Sequence, residues 1–552
     1  MQDNQIFNRN QLSLSLHNKD LALQLSRCGT SEKISFKTSR SGELVPVLRH
    51  KERDYALHSL FNPVKDGERN SALITGGGYL VIFGFGACYH IRPLLSRDDI
   101  NGILLIDKDI SMIKAILSEI DLSDLLSDSR ISILIDKTEA EIMEYLPANY
   151  LPAVTGDFQT LTLRSRVETE KDYFMGLMDS IRKVLDTLSD DYTVQTWFGK
   201  RWFINSIANL AAAQNSTTIV RPRNKALIAA AGPSLEMQLD DLRERQKDSF
   251  LISTDTALSC LLKHSIKPDL VISIDCQQIT YHHFMAGYPE DVPLVLDLAS
   301  PPAISRLTEN TLFFTSGHPF SRYVNRNWRK FPFVDTSGGN VTHAALSLAD
   351  ELGASEIFIY GADYSYPEGK SYARGTYIYP YFMGKSGRKD SIESLFYNFL
   401  YRNDKIKMSK TDYGFRYTTR PMLSYKERLE RYASEVSGHI IPVPGLGEEI
   451  IVPSFEKQIT STRNILAAGR SKTDWKSFLS NYKENLIKLP NLSGSPTVYF
   501  SKLDYTDKDI WTTLFPIAAV LRKKYKDTDK TASDILHEVR SWALDVINMY
   551  LD

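Results

Sequence analysis

The chain has 552 residues, of which 42% are hydrophobic and 24% charged, with a formal net charge of −1. Such a length exceeds what one hydrophobic core organises and points to two or three domains, and the near-neutral balance gives no electrostatic case for nucleic acid as a main ligand. No run approaches the roughly 18 apolar residues of a membrane span and no amino-terminal stretch reads as a signal peptide, so a cytoplasmic protein without membrane contact is expected.

In chain order, ISFKTSRSGELVPVL alternates about Ser41-Gly42, the pattern of a β-hairpin. From Tyr79 the text changes: YLVIFGFGACYH is an apolar strand entering a Gly-rich turn, and GILLIDKDISMIKAIL holds a second strand that ends at Asp107. Glycines at a first turn and an acid after the second strand are what a Rossmann-type domain uses to approach a cofactor and hold a ribose hydroxyl. Here Gly84 and Gly86 are followed by Ala87, Cys88 and Tyr89, so the third glycine is missing and the turn can equally serve to pack helix on strand. Val167 to Gln214 reads as helix, and RPRN (Arg221 to Asn224) as a basic linker.

The central stretch carries the most chemistry. KALIAAAGPSLE is an apolar strand that breaks at Gly232-Pro233 and turns amphipathic after Ser234, the position of a helix N-cap, where free amides and the positive helix end favour an anion. Further strand ends close on polar residues: LISTDTAL at Thr254 and Asp255, KPDLVISIDCQ at Asp275, and EIFIYGADYSY at Gly361 and Asp363. Between the last two, TSGGNVTHAALSLADELG opens a helix after Gly338-Gly339-Asn340. In an open α/β sheet ligands bind outside the carboxyl ends of the strands, so these groups are expected to converge on a nucleotide-type site. An aromatic, Gly-punctuated segment follows (Tyr366, Tyr372, Tyr377, Tyr379, Tyr381), placed as a lid is placed. LSYKERLERYASEV is a helix, and the last hundred residues are helical, with Pro516 expected to kink one of them.

Cys28, Cys88, Cys260 and Cys276 are scattered, without Cys-x-x-Cys spacing, and read as free thiols. His282 and His283 are adjacent, point to different sides of any regular element, and do not form a zinc pair. The predicted class is therefore α/β: an amino-terminal domain over 1–215 with a Rossmann-like part from about residue 70, a central Rossmann-like domain over 216–450, and a helical carboxyl-terminal domain over 451–552. A homo-oligomer is left open.

The AGPSL turn, the PDLVISID strand end and the SGGNV…ALSLADELGASEIFIYGADYSY block resemble the motility-associated factor (Maf) family, as do LHSLFNPVKDGER and VIFGFGACYHIRPLL upstream. Those proteins are flagellin glycosyltransferases whose central domain carries a pterin-diphosphokinase-like signature and is similar to bacterial sialyltransferases. The resemblance implies transfer of a nonulosonic, sialic-acid-like sugar from a CMP-activated donor to Ser or Thr of flagellin, in support of flagellar assembly and motility. It places Gly232, Pro233 and Ser234 on the turn that approaches the nucleotide, although Ala231 stands where sialyltransferases have Asn. Thr254 and Asp255 fall where that family reads the nucleotide, with Asp275 at the next strand end. Thr336, Ser337 and Gly338 match a phosphate- and carboxylate-contacting segment, joined in the donor site by Gly339, Asn340 and Asp363. Tyr372, and more loosely Tyr366, match tyrosines that serve the leaving phosphate. No D-x-D pair is present, and no metal or cofactor beyond the sugar nucleotide is expected.

The histidine that sialyltransferases carry before the helix corresponding to Leu423–Val436 is absent: Thr418, Thr419 and Arg420 stand there. Either Asp412, Glu427 or another carboxylate takes the proton, or the reaction relies on leaving-group stabilisation more than on base catalysis; His318 at a strand end is a further candidate, and His343 reads as structural. Two other functions fit the same fold: a pterin-type diphosphokinase using ATP and Mg²⁺ on Asp275 and Asp363, and a non-catalytic flagellin-binding scaffold or chaperone.

Overall fold

The computed structural model describes residues 5–221, 224–402, 405–412, 414–452, 465–492, 494–526 and 528–552. The chain divides into two compact units, Met1–Gly199 with Asn485–Leu544, and Lys200–Glu484 with Asp545–Asp552. Pro222 and Arg223 of the expected linker, and the chain from 453 to 464, lie outside the described residues.

In the first unit, β1 (Ile34–Thr38), β2 (Leu44–His50) and β3 (Arg53–Ala56) form an antiparallel sheet, the expected hairpin extended by one strand. A second sheet of order β6-β5-β4-β7 is parallel throughout, with β4 Gly78–Phe83, β5 Ile100–Asp107, β6 Ile131–Ile135 and β7 Phe158–Thr162. β4 and β5 are buried along their whole length, which is why they read as unbroken apolar runs instead of alternating ones. The helix Tyr505–Lys524 belongs to this unit, and Pro516 lies inside it with its carbonyl against Gly199, where a Cβ would come within 1.9 Å. Lys523 Nζ stands 3.1 Å from the Trp197 ring centroid. The unit boundary falls within the 45-residue helix Lys171–Asn215, and residues 485–544 are built into the first unit because their apolar stripes need a surface to cover.

The second unit is organised by a seven-stranded parallel sheet of order β13-β12-β11-β10-β9-β14-β18. After β8 (Ile219–Val220), its strands are β9 Lys225–Ala229, β10 Phe250–Thr254, β11 Leu270–Ser273, β12 Leu294–Asp297, β13 Thr311–Phe314 and β14 Glu356–Tyr360. β15 (Tyr366–Pro367), β16 (Lys407–Thr411) and β17 (Gly414–Thr418) make a small antiparallel sheet, β18 (His439–Pro442) closes the main one, and β19 (Leu466–Ala467) pairs with β8. Side chains alternate between two cores: Ala226, Ile228 and Ile252 pack with the helix Val341–Glu351 on one face, and Leu227, Ala229 and Leu251 with Leu235, Leu239 and Leu261 on the other. From β9 the chain adds β10 to β13 outward on one side, then returns to β14 on the other, so the strand order reverses between β9 and β14. That reversal is where open α/β sheets bind ligands. The α/β class with parallel sheets is as the sequence predicts. Among the described residues no helix is long and apolar enough to cross a membrane.

Candidate functional site

The reversal point is closed by a clasp. Gly232 N–H donates to Gly361 O (2.8 Å), and Ser234 N–H to Asp363 Oδ2 (2.8 Å), while Ser234 Oγ donates to Asp363 Oδ1 and accepts from Leu446 N–H (2.6 Å). Ser234 occupies the N-cap position of the helix Leu235–Arg245, but its side chain makes no capping bond, and Glu236 is the acid in that helix's first turn. A Cβ on Gly232 would lie 2.2 Å from Asp363 Oδ2 and 2.5 Å from Gly361 O, so glycine here is set by backbone approach. Pro233 is buried in the same turn, and Asp363 is buried as well, which pushes its carboxyl up despite the Ser234 hydrogen bonds.

One strand along, Thr254 ends β10. Its hydroxyl donates to Ala229 O (3.0 Å) and accepts from Ala257 N–H (3.3 Å), capping the helix Asp255–Lys263. Asp255 is 3% exposed and accepts from Thr256 N–H (2.6 Å), Thr256 Oγ1 (3.0 Å) and Ser273 Oγ (2.7 Å). His283 brings Nδ1 to 3.4 Å from Asp255 Oδ1, from the 3-10 helix Gln278–Phe284. Burial alone would raise the Asp255 carboxyl; the His283 charge and the bonds from His283, Ser273 and Thr256 outweigh it and hold the group below its ordinary value. Asp275, just beyond β11, is half-buried and takes Gln277 N–H at 2.9 Å. Its carboxyl is raised, by burial first and by the Asp255 charge second. Two neighbouring carboxyls are thus pushed apart, the arrangement that separates a charged from a proton-holding group.

The aromatic segment crosses these strand ends. Ala373 N–H donates to Ala231 O (2.8 Å) and Ser259 Oγ to Gly375 O (2.9 Å), tying the segment to both the Gly-Pro-Ser turn and the helix after Asp255. Tyr372 is half-buried; its ring centroid is 6.3 Å from that of Tyr377, which in turn lies 4.4 Å from the His283 ring. Burial raises the Tyr372 hydroxyl, with Tyr377, Tyr366 and Asp255 adding to it and Arg402 opposing. Tyr366 is 3% exposed on β15, paired in register with Tyr417. Thr254, Asp255, Asp275 and Tyr372 therefore share one neighbourhood.

The Thr336–Asn340 turn is held by its own set of bonds. Gly339 N–H donates to Thr336 O (3.0 Å) at φ +74°, and Asn340 Oδ1 accepts from His343 N–H (3.0 Å) as N-cap. Ser337 N–H and Oγ both reach Asp335 at 2.9 Å, and Asp335 pairs with His343 Nε2 at 2.9 Å. His343 is 1% exposed and packs on Tyr432; a Cβ on Gly338 would run into its ring. Because its helix precedes the parallel strand β14, this turn begins on the side where the strands end.

Of the base candidates, Asp412 and Glu427 are exposed, and His318 stacks on Trp202 (4.1 Å) with Nε2 4.0 Å from the buried Asp297. His283 has no motif of its own in the sequence, where its neighbour His282 suggests only the excluded zinc pair. The available signal was its place one short turn after Asp275, at a strand end. In the first unit, Asp107 is paired with Arg166 (2.8 Å), both essentially unexposed, and accepts from Phe85 N–H (2.8 Å), while His58 and Leu163 crowd Gly86. The acid that a Rossmann pattern offers to a ribose is here in an internal ion pair.

A family model described as 6-hydroxymethylpterin diphosphokinase MptE-like matches residues 202–369, which contain Gly232, Ser234, Gly361 and Asp363 of the clasp and the Asp255 group, but neither Leu446 nor Tyr372. Two uncharacterized proteins of Treponema pallidum (strain Nichols) are similar in sequence. One is 37% identical over 153 residues, 27% of this chain and 54% of that protein, and the other 28% identical over 170 residues, 30% and 80%. The chain thus spans about half the length of the first. The solved Maf glycosyltransferase from Magnetospirillum magneticum AMB-1 superposes with a TM-score of 0.57 at 14% identity, covering 99% of this chain and 95% of that one. The shared property at that identity is the fold, and it extends over nearly the whole chain.

Proposed function

We propose that this chain is a glycosyltransferase that moves a nonulosonic acid from a CMP-activated donor to Ser or Thr hydroxyls of flagellin in the cytoplasm. The observation that supports this reading best is the gathering of Asp255, His283, Asp275 and Tyr372 at the carboxyl ends of adjacent strands, beside a Gly-Pro-Ser turn, in the fold of a Maf glycosyltransferase. A CMP leaving group needs one phosphate charge stabilised, which tyrosine hydroxyls and amides can do. Gly232, Ser234, Thr254 and Asp255 shape the nucleotide side in this reading, and the Thr336–Asn340 turn faces the sugar carboxylate.

The MptE-like match also favours a second reading, a pterin-type diphosphokinase. That chemistry holds Mg·ATP on free carboxylates. Asp363 is engaged by Ser234, and Asp255 by Thr256, Ser273 and His283, so the first reading fits better. Chromatography of reaction mixtures separates the two, and both from a non-catalytic scaffold. CMP released from CMP-nonulosonic acid only when flagellin is present is the expected result. AMP formed from ATP and a hydroxymethylpterin would establish the kinase, and no nucleotide product from either would leave the scaffold.

A further inference from the structure

We propose that His283, oriented by Asp255, is the general base that takes the proton of the acceptor hydroxyl; the inference rests on the transferase reading above. Neither the Maf resemblance nor the sequence motifs assign it. Among the described residues the imidazole is held at Nδ1, which lies 3.4 Å from Asp255 Oδ1 and 3.5 Å from Thr256 Oγ1. Asp255 is in turn fixed by Ser273 Oγ on Oδ2 and by the Thr256 amide and hydroxyl on Oδ1, the oxygen that also faces the ring. A buried carboxylate on Nδ1 selects the tautomer with its proton there and leaves Nε2 as acceptor, the layout that makes histidine a base.

The surroundings suit the step. His283 has a side-chain exposure of 12%, open enough to meet an acceptor and closed enough to limit water. Asp275 and Asp255 are the acidic groups facing it, and the Tyr377 ring lies against it at 4.4 Å. The Asp255 charge stabilises the imidazolium that forms. In the reaction, the acceptor oxygen bonds to the anomeric carbon of the donor and its proton passes to His283 Nε2. The bond from that carbon to the CMP phosphate oxygen breaks, and its electron pair leaves with the phosphate. The products are the glycoside, CMP and one proton, with no other reactant.

The test uses the full chain, CMP-nonulosonic acid and flagellin. His283→Gln is expected to lower kcat on the order of 10²-fold or more, to leave CMP affinity by calorimetry within about twofold, and to abolish the acidic limb of the kcat/KM profile. His283→Ala should regain activity when imidazole is added, which a packing role would not allow. Asp255→Asn, which keeps the shape but not the charge, should lower kcat with the fold intact by circular dichroism. Near wild-type kcat in His283→Gln, or an unaltered acidic limb, overturns the assignment while the wild type still transfers. Absence of transfer by the wild type itself overturns the transferase reading and the base with it.

Discussion

Gly232, Tyr372 and Asp335 each carry a separate test. A methyl group on Gly232 meets the Asp363 carboxylate and the Gly361 carbonyl, neither of which can retreat without breaking the clasp. Gly232→Ala should cost about 1–3 kcal/mol, read as a lower melting temperature, in addition to weakened CMP binding. For Tyr372→Phe, the ring and its packing on Tyr377 stay and only the hydroxyl is lost. If that hydroxyl serves the departing phosphate, kcat falls on the order of 10²-fold while KM holds, because the bond strengthens only as charge develops. At Asp335 burial alone would raise the carboxyl, but His343 and Ser337 bring it down to about 2. A depressed folded value gives stability above the unfolded pKa that is lost as pH falls through the folded one. Asp335 therefore contributes about 2 kcal/mol at neutral pH, lost between roughly pH 4 and 2, and Asp335→Asn should flatten denaturation midpoints over that window. Asp255 was legible in the sequence because a polar residue ending an apolar run marks a strand end, whereas Tyr372 entered through the resemblance of its segment to sialyltransferases. His283 was not, because its partner lies on another strand-end element and no local pattern announces the pairing. Ser234 was legible as a cap position, but its real partner, Asp363, is brought near only by the sheet order.

At the scale of elements, the parallel strands and their following helices could be read directly from apolar runs closed by Gly, Asp or Ser. The small β15–β17 sheet could not, since β16 and β17 carry mostly exposed residues and lack the alternation of a half-buried pair. The long helix Lys171–Asn215 was legible as helix, but not its bracing role in the second unit. Buried Asn205 Nδ2 donates to Cys276 O and Ala299 O, and Asn209 Nδ2 to Leu298 O and Ser300 O, pinning the loops after β11 and β12. Asn209→Ala strands two carbonyls without a partner and should cost about 2–3 kcal/mol, measurable by urea denaturation. In the first unit, Arg166→Met leaves Asp107 charged, buried and unpaired. A loss of about 3–5 kcal/mol follows if the carboxylate stays ionised, and hydrogen exchange should show it in β4 and β5.

For the whole molecule, the two units carry different burdens: the second holds the strand-end group and the family match, while the first has the outline of a nucleotide-binding fold with its acid already paired. Length alone announced more than one domain. It could not show that residues 485–544 join the first unit, since that depends on which surfaces their apolar stripes find. The account turns on the claim that the second unit transfers a sugar from CMP to protein. Intact-mass spectrometry of flagellin tests it most directly, after incubation with the full chain and CMP-nonulosonic acid in the presence of EDTA. The account predicts increments of one glycosyl residue that persist in EDTA and decline in Tyr372→Phe. Flagellin of unchanged mass with every CMP-sugar offered, or increments that require added Mg²⁺ or Mn²⁺, would contradict it.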